Sequence, residues 1–135
     1  MSNNGCCESS LDYITKKIKT MNEFVLIFRN DFHPEANFSP DEMQAIMIKW
    51  QNWMGGIAAQ NQLASVGNRL GAEGKTIGAG KVVTNGPYAE IKEMLTGYII
   101  VRANSIDEAA EIAKSCPILE VDGSVEVRDI IPMNN

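Results

Sequence analysis

Two short runs set the limits on what this chain can fold into, because neither has a polar position to turn toward water. Phe24-Val25-Leu26-Ile27-Phe28 and Gly97-Tyr98-Ile99-Ile100-Val101 are continuously apolar, rich in β-branched and aromatic residues. That is the composition of strands covered on both faces. A later strand is of the other kind: Val125 and Val127 alternate with Glu126 and Arg128, so one of its faces is apolar and the other wet.

Between these strands the spacing predicts helices. Ser39-Pro40-Asp41-Glu42 combines a capping serine, a proline at the first helical position and a glutamate three residues from the cap. Met43, Ile46, Met47, Trp50, Trp53, Met54 and Ile57 then recur at helical spacing, so one stripe packs on a sheet while Gln44, Lys49 and Gln51 face water. Ser105-Ile106-Asp107-Glu108 is a second capping box. The helix it opens directs Ile106, Ala109, Ala110 and Ala113 inward and stops at Cys116-Pro117. The glycine-rich residues 63–83 predict a twisted hairpin turning near Ala72-Glu73-Gly74, with Gly78 and Gly80 marking a bulge. Asn85-Gly86-Pro87-Tyr88 reads as a turn into a short helix through Leu95. The order over residues 21–131 is therefore β-α-β-β-α-β, a single α+β domain.

Two helices cover only one face of a four-stranded sheet, so something else must cover the other. A second copy of the same sheet does so economically, since symmetric homodimers are the commonest oligomers and an exposed apolar face is an aggregation liability. The alternative cover is the N-terminal arm, whose few apolar residues reach only part of the face.

Composition narrows the function. At 135 residues, 44% hydrophobic and 21% charged, the chain has room for one core. The net charge is -5 and no Lys or Arg run exceeds Lys16-Lys17, which argues against a nucleic-acid partner. No stretch approaches the ~20 apolar residues of a membrane span and the N-terminus lacks a secretion signal's apolar run, so a cytoplasmic protein with no membrane partner is expected. Cys6, Cys7 and Cys116 with a lone histidine, His33, supply neither a disulfide framework nor zinc-ligand spacing, so no metal is expected. Residues 1–20 pair a polar head with Leu11, Ile14 and Ile18 among Lys16, Lys17 and Lys19. They form an arm or short amphipathic helix lying on the domain, or a basic docking segment.

Few residues carry chemistry. Gly74-Lys75-Thr76 resembles the end of a phosphate loop, but Arg69 stands where its first glycine belongs and strand residues follow, so nucleotide binding there is rejected and no cofactor is expected. Free amides at the helix start after Asn85-Gly86-Pro87 favour an anion, with Lys81, Lys92 and the Tyr88 hydroxyl nearby in sequence; a plain strand-to-helix corner explains the same residues. His33 is the sole side chain with an ordinary pKa near neutrality, so it is either the proton-transfer residue or an exposed loop histidine. Arg29, Arg102 and Arg128 either clamp a carboxylate or pair with Glu126 across the sheet.

Residues 84–93, Thr-Asn-Gly-Pro-Tyr-Ala-Glu-Ile-Lys-Glu, followed by Gly97-Tyr98, resemble the signature of the YCII-related proteins known for an Asp-Gly-Pro-Phe motif. Ser39-Pro40-Asp41-Glu42-Met43 with Trp50 and Trp53, Ser105-Ile106-Asp107-Glu108-Ala109, and Gly123-Ser124-Val125-Glu126-Val127-Arg128 follow in that family's order. The resemblance implies a ferredoxin-like fold that dimerises sheet to sheet into an α/β barrel. Most members have no assigned activity; some wider relatives are lyase-like enzymes acting on ring-cleavage acids such as chlorinated hydroxymuconates, and others are encoded beside alternative sigma factors. Asn85 replaces the motif's aspartate and Tyr88 its phenylalanine, and asparagine keeps hydrogen-bonding geometry without being a base. Two functions follow. In one, a small acidic metabolite has its carboxylate held by the Gly86 to Tyr88 amides and by Lys92 or Arg128, and His33 moves a proton in a lyase- or isomerase-like step. In the other, a non-catalytic ligand-binding or regulatory module, of the kind linked to sigma-factor regulation, uses Asn85, Gly86, Tyr88, Lys92 and Arg128 for binding alone; a purely structural dimer is the remaining alternative.

Overall fold

The computed structural model describes residues 21–30, 38–71, 73–86 and 94–133. Its elements are β1 (Asn22–Asn30), α1 (Pro40–Ala59), β2 (Leu63–Arg69), β3 (Lys75–Ile77), β4 (Val83–Asn85), β5 (Met94–Ala103), α2 (Ile106–Ala113) and β6 (Ser124–Asp129). The main sheet has four strands in the order β2-β5-β1-β6, each pair antiparallel. The fold is α+β and compatible with a ferredoxin-like arrangement; β3 and β4 form a separate two-stranded sheet.

Both helices lie on one face of the sheet. Phe24, Leu26 and Phe28 of β1 and Ile99, Val101 and Ala103 of β5 are buried together with Ile57 of α1 and Ala109 and Ala113 of α2. Val125 and Val127 of β6 pack against this core, which accounts for the alternation read in the sequence. Burial also pushes the Cys116 thiol up to about 12, so that side chain packs as a neutral apolar group.

Four expectations need correcting. Strands β1 and β5 are not buried on both faces within one chain: burial alternates, and Val25, Ile27, Tyr98 and Ile100 on the open side are half-buried. The glycine-rich hairpin turns at Ala79–Lys81 rather than near Ala72 to Gly74, because β2 pairs with β5 instead of β3. Gly80 and Lys81 take positive φ there, a conformation glycine tolerates freely. Met94 and Leu95 are strand residues paired with Asn30 and Arg29, not the end of a helix; the Pro87 helix start lies outside the described residues. Finally, Ile106 is exposed.

The helix starts also differ. At α1 the box is reciprocal: the Glu42 amide donates to Ser39 Oγ at 3.2 Å and the Ser39 amide to Glu42 Oε1 at 3.0 Å. At α2 the Ser105 half forms at 3.2 Å, but the Glu108 carboxylate instead accepts from the Asn104 amide at 3.3 Å and from Gln62 Nε2 at 3.0 Å. Gln62 Nε2 also donates to the Arg102 carbonyl at 3.3 Å, so this glutamate ties α2 to the β2–β5 edge. Among the described residues no helix is long and apolar enough to cross a membrane.

Candidate functional site

A cleft of about 680 Å³ opens between α1 and the inner face of the sheet. Its size is within the ~300–1,000 Å³ typical of small-molecule sites. The cause is partly in α1. Of its apolar stripe only Ile57 is fully buried; Met43, Ile46, Trp50, Trp53 and Met54 are half-buried, and Met47 is 56% exposed. The C-terminal half of the helix is anchored, with Trp53 Nε1 donating to the Ile112 carbonyl at 3.2 Å and to Ser115 Oγ at 3.0 Å. Trp50 meets Phe28 edge-on at 5.0 Å between ring centroids, within the range where aromatic pairs attract. The N-terminal half has no comparable anchor among the described side chains beyond Lys49, whose Nζ lies 2.9 Å from Glu120 Oε1.

The other cause lies in the sheet. Phe28 pairs with Gly97 and Arg29 with Leu95, so Thr96 is an extra residue; its hydroxyl donates to the Phe28 carbonyl at 3.3 Å. On the far side of β5, Ser65 pairs with Ile100 and Asn68 with Tyr98, so Val66 and Gly67 share the place opposite Ile99. Gly67 has φ +61°, and a Cβ there would run into the Tyr98 carbonyl, so only glycine fits. Two bulges therefore bend the same end of β5 that lines the cleft, as bulges do beside binding sites.

The lining is mostly apolar and aromatic, including Phe28, Phe38, Met43 and Trp50. Polar groups enter at Asn30, which is buried, and at Gln51, Asn68, Arg69 and Thr96. The Asn68 side chain is engaged at the open face instead, where its Nδ2 donates to the Tyr98 hydroxyl at 3.0 Å. No histidine, cysteine or carboxylate is among the described lining residues, so these groups can enclose and orient a ligand, but none of them is an ordinary general base near neutral pH. Among the described residues no group of three or more His, Cys, Asp or Glu is placed to hold a metal ion.

The residues singled out from sequence fall elsewhere. Asn85 and Gly86 end β4 beside β3: Lys75 Nζ donates to Asn85 Oδ1 at 2.8 Å, the Thr76 hydroxyl to the Gly86 carbonyl at 3.0 Å, and the Gly86 amide to the Gly74 carbonyl at 2.6 Å. That amide is thus already taken up within the hairpin. With Glu73, these residues form a shallow open depression. Arg128 is on β6 at the sheet edge, opposite Val25, with Nη1 3.7 Å from Glu126 Oε2. Glu126 also accepts from Arg29 Nε at 3.2 Å, the cross-strand pairing that was one of the two sequence readings. Asn85 and Gly86 therefore share a site with Lys75, whereas Arg128 belongs to a different sheet. His33, Tyr88 and Lys92 lie outside the described residues.

Sequence reasoning missed the cleft itself. Its signal was present in the large, flexible Met and Trp side chains of α1 and in Gly67 and Gly97, but a stripe of this kind reads the same whether its helix sits down or stands off.

The model of the YCII-related domain matches residues 34–134. No curated protein matches the chain.

Proposed function

Because the chain belongs to the YCII-related domain family, we propose that it binds a small organic acid in the cleft between α1 and the bulged end of β5. The observation that carries this reading is the cleft's combination of volume and lining: about 680 Å³, largely apolar and aromatic, with a few polar groups at Asn30, Thr96 and Arg69. Such a lining gives affinity by burial and orientation by a small number of hydrogen bonds. Lyase- or isomerase-like turnover enters this reading through His33, which the sequence places between two lining residues, Asn30 and Phe38. Asn85 and Gly86 at the end of β4, with Tyr88 and Lys92 following them in sequence, are the further binding residues of this reading.

Thermal-shift screening of the full chain against small organic acids tests the reading. A ligand at a hundred times its Kd adds about 2.7 kcal/mol of stability, and Ile46→Trp, which fills the cleft, is expected to remove that gain. A flat screen sinks it. His33→Ala separates the two versions: loss of turnover with binding kept supports an enzyme, and binding without detectable chemistry in the unmodified chain supports a regulatory or carrier module.

The reading also includes a homodimer, supported by the half-buried Val25, Ile27, Tyr98 and Ile100 on the open sheet face. Two such faces packed together give a dimeric α/β barrel, and Arg29, Glu126 and Arg128 then lie along the join. Sedimentation at micromolar concentration is expected to give the mass of two chains, and Ile27→Lys that of one. A monomer before substitution rules this part out.

A further inference from the structure

The β3–β4 hairpin has an apolar face and no seat for it. It pairs with neither β2 nor β5, and among the described elements none packs closely on it. Ile77 and Val83 are cross-strand partners and so share a face; they are 64% and 55% exposed, and Val82 beside them 62%. A two-stranded hairpin has little stability in water by itself. This one is stiffened from within by the Lys75 to Asn85 bond, by the Thr84 hydroxyl donating to the Thr76 carbonyl at 3.3 Å and by the Gly86 amide on the Gly74 carbonyl. It can therefore move as one body.

The root of the hairpin is in the cleft wall. Arg69, Leu70 and Gly71 line the cleft, and the Leu70 amide donates to the Thr96 carbonyl at 2.9 Å, so the chain is pinned to β5 up to Leu70 and leaves the sheet at Gly71. Neither packing nor strain demands a glycine there: a Cβ would meet nothing within 4 Å, and φ is outside the left-handed region. What glycine adds at such a position is freedom, as at a hinge. Ile77 stands six residues further on, a reach of up to ~20 Å in extended chain. Across the cleft, Met47 of α1 lines the space and is 56% exposed.

On the premise that the α1 cleft is the binding site, we propose that the β3–β4 hairpin is its lid, turning about Gly71 so that Ile77 and Val83 close on Met47. Closure takes both exposed apolar surfaces out of water. It also leaves a bound molecule in a drier space, where its polar contacts are stronger.

Disulfide trapping in the full chain tests the movement without any ligand. In a Cys6→Ser, Cys7→Ser background, where Cys116 stays buried, Met47→Cys with Ile77→Cys should form a bridge within one chain under oxidised glutathione, which requires Cα atoms within about 7 Å. Met47→Cys with Val83→Cys, on the same face, is a second pair should the first not fold. Ile77→Cys with Ile106→Cys, which is also exposed, should not bridge. Adding Gly71→Ala should slow the lid bridge by about two- to fivefold without lowering the urea midpoint. No bridge from either lid pair, as when the return through residues 87–93 holds the hairpin in place, overturns the proposal. So do a bridge only between two chains, equal bridging to Ile106→Cys, or a rate that Gly71→Ala leaves unchanged. If no bridge forms while an acid in the thermal-shift screen gives a shift that Ile46→Trp removes, the lid falls and the cleft reading stands; a flat screen takes both.

Discussion

Helices α1 and α2 cover the same face of one sheet, yet they are seated differently. Helix α2 presents Ala109 and Ala113, both buried, so its backbone lies close to β5 and β6. Helix α1 presents methionine, isoleucine and tryptophan, and only Ile57 near its end is fully buried. Small side chains let a helix come down onto a sheet and close the interface; large, half-buried ones hold it off and leave space. The difference is one of closure: the α2 side is packed down on the sheet, and the α1 side leaves the cleft.

That contrast can be broken by substitution. The largest effect is expected from Phe28→Ala, since Phe28 is buried and contacts Trp50 and Trp53 at once, with centroids at 5.0 and 6.0 Å. Urea unfolding should show a loss of about 3–5 kcal/mol; a loss below ~1 kcal/mol would mean that α1 is not held through this cluster. Next come two enlargements of opposite consequence. Ala109→Leu should cost about 1–3 kcal/mol by overpacking, whereas Ile46→Phe grows into the cleft and should stay within ~0.5 kcal/mol. Equal costs would show that the two helices are seated alike.

Smaller effects are expected at the caps. Ser39→Ala should lower stability by about 1 kcal/mol, since it removes the Oγ that accepts from the Glu42 amide. The Glu42 carboxyl is held below its usual 4.5, first by the Ser39 backbone amide and then by the Ser39 side chain. A depressed carboxyl contributes stability above its unfolded value and loses it as pH falls through the folded one. The urea midpoint should therefore drop below about pH 4.5, and Glu42→Gln should remove part of that slope. An unchanged slope in Glu42→Gln would show that the exposed half of the box contributes nothing measurable.

What was legible in the sequence follows the range of the forces involved. The Ser39 cap, its proline and Glu42 act within four residues, so the start of α1 could be read directly. The partner of Glu108 could not, because Gln62 reaches it only after β2 and β5 have paired. Arg29 and Glu126 were legible as a possible pair because alternation puts charges on one face, although their register depends on the whole sheet. The 63–83 segment misled because glycines allow a turn at several places; the choice of Gly78 to Val82 was made by β2 pairing with β5. The cleft was least legible of all, since it depends on how far α1 stands from the sheet.

The most direct test follows the ¹³C-labelled methyls of Met43, Met47 and Met54 and the Trp50 indole by NMR, while the acid giving the largest thermal shift is added. The expected result is saturable shifts at these groups and at the Gly97 amide, with the amides of α2 (Ile106–Ala113) unmoved. Shifts confined to α2, to the open sheet face or to the β3–β4 hairpin would contradict the account.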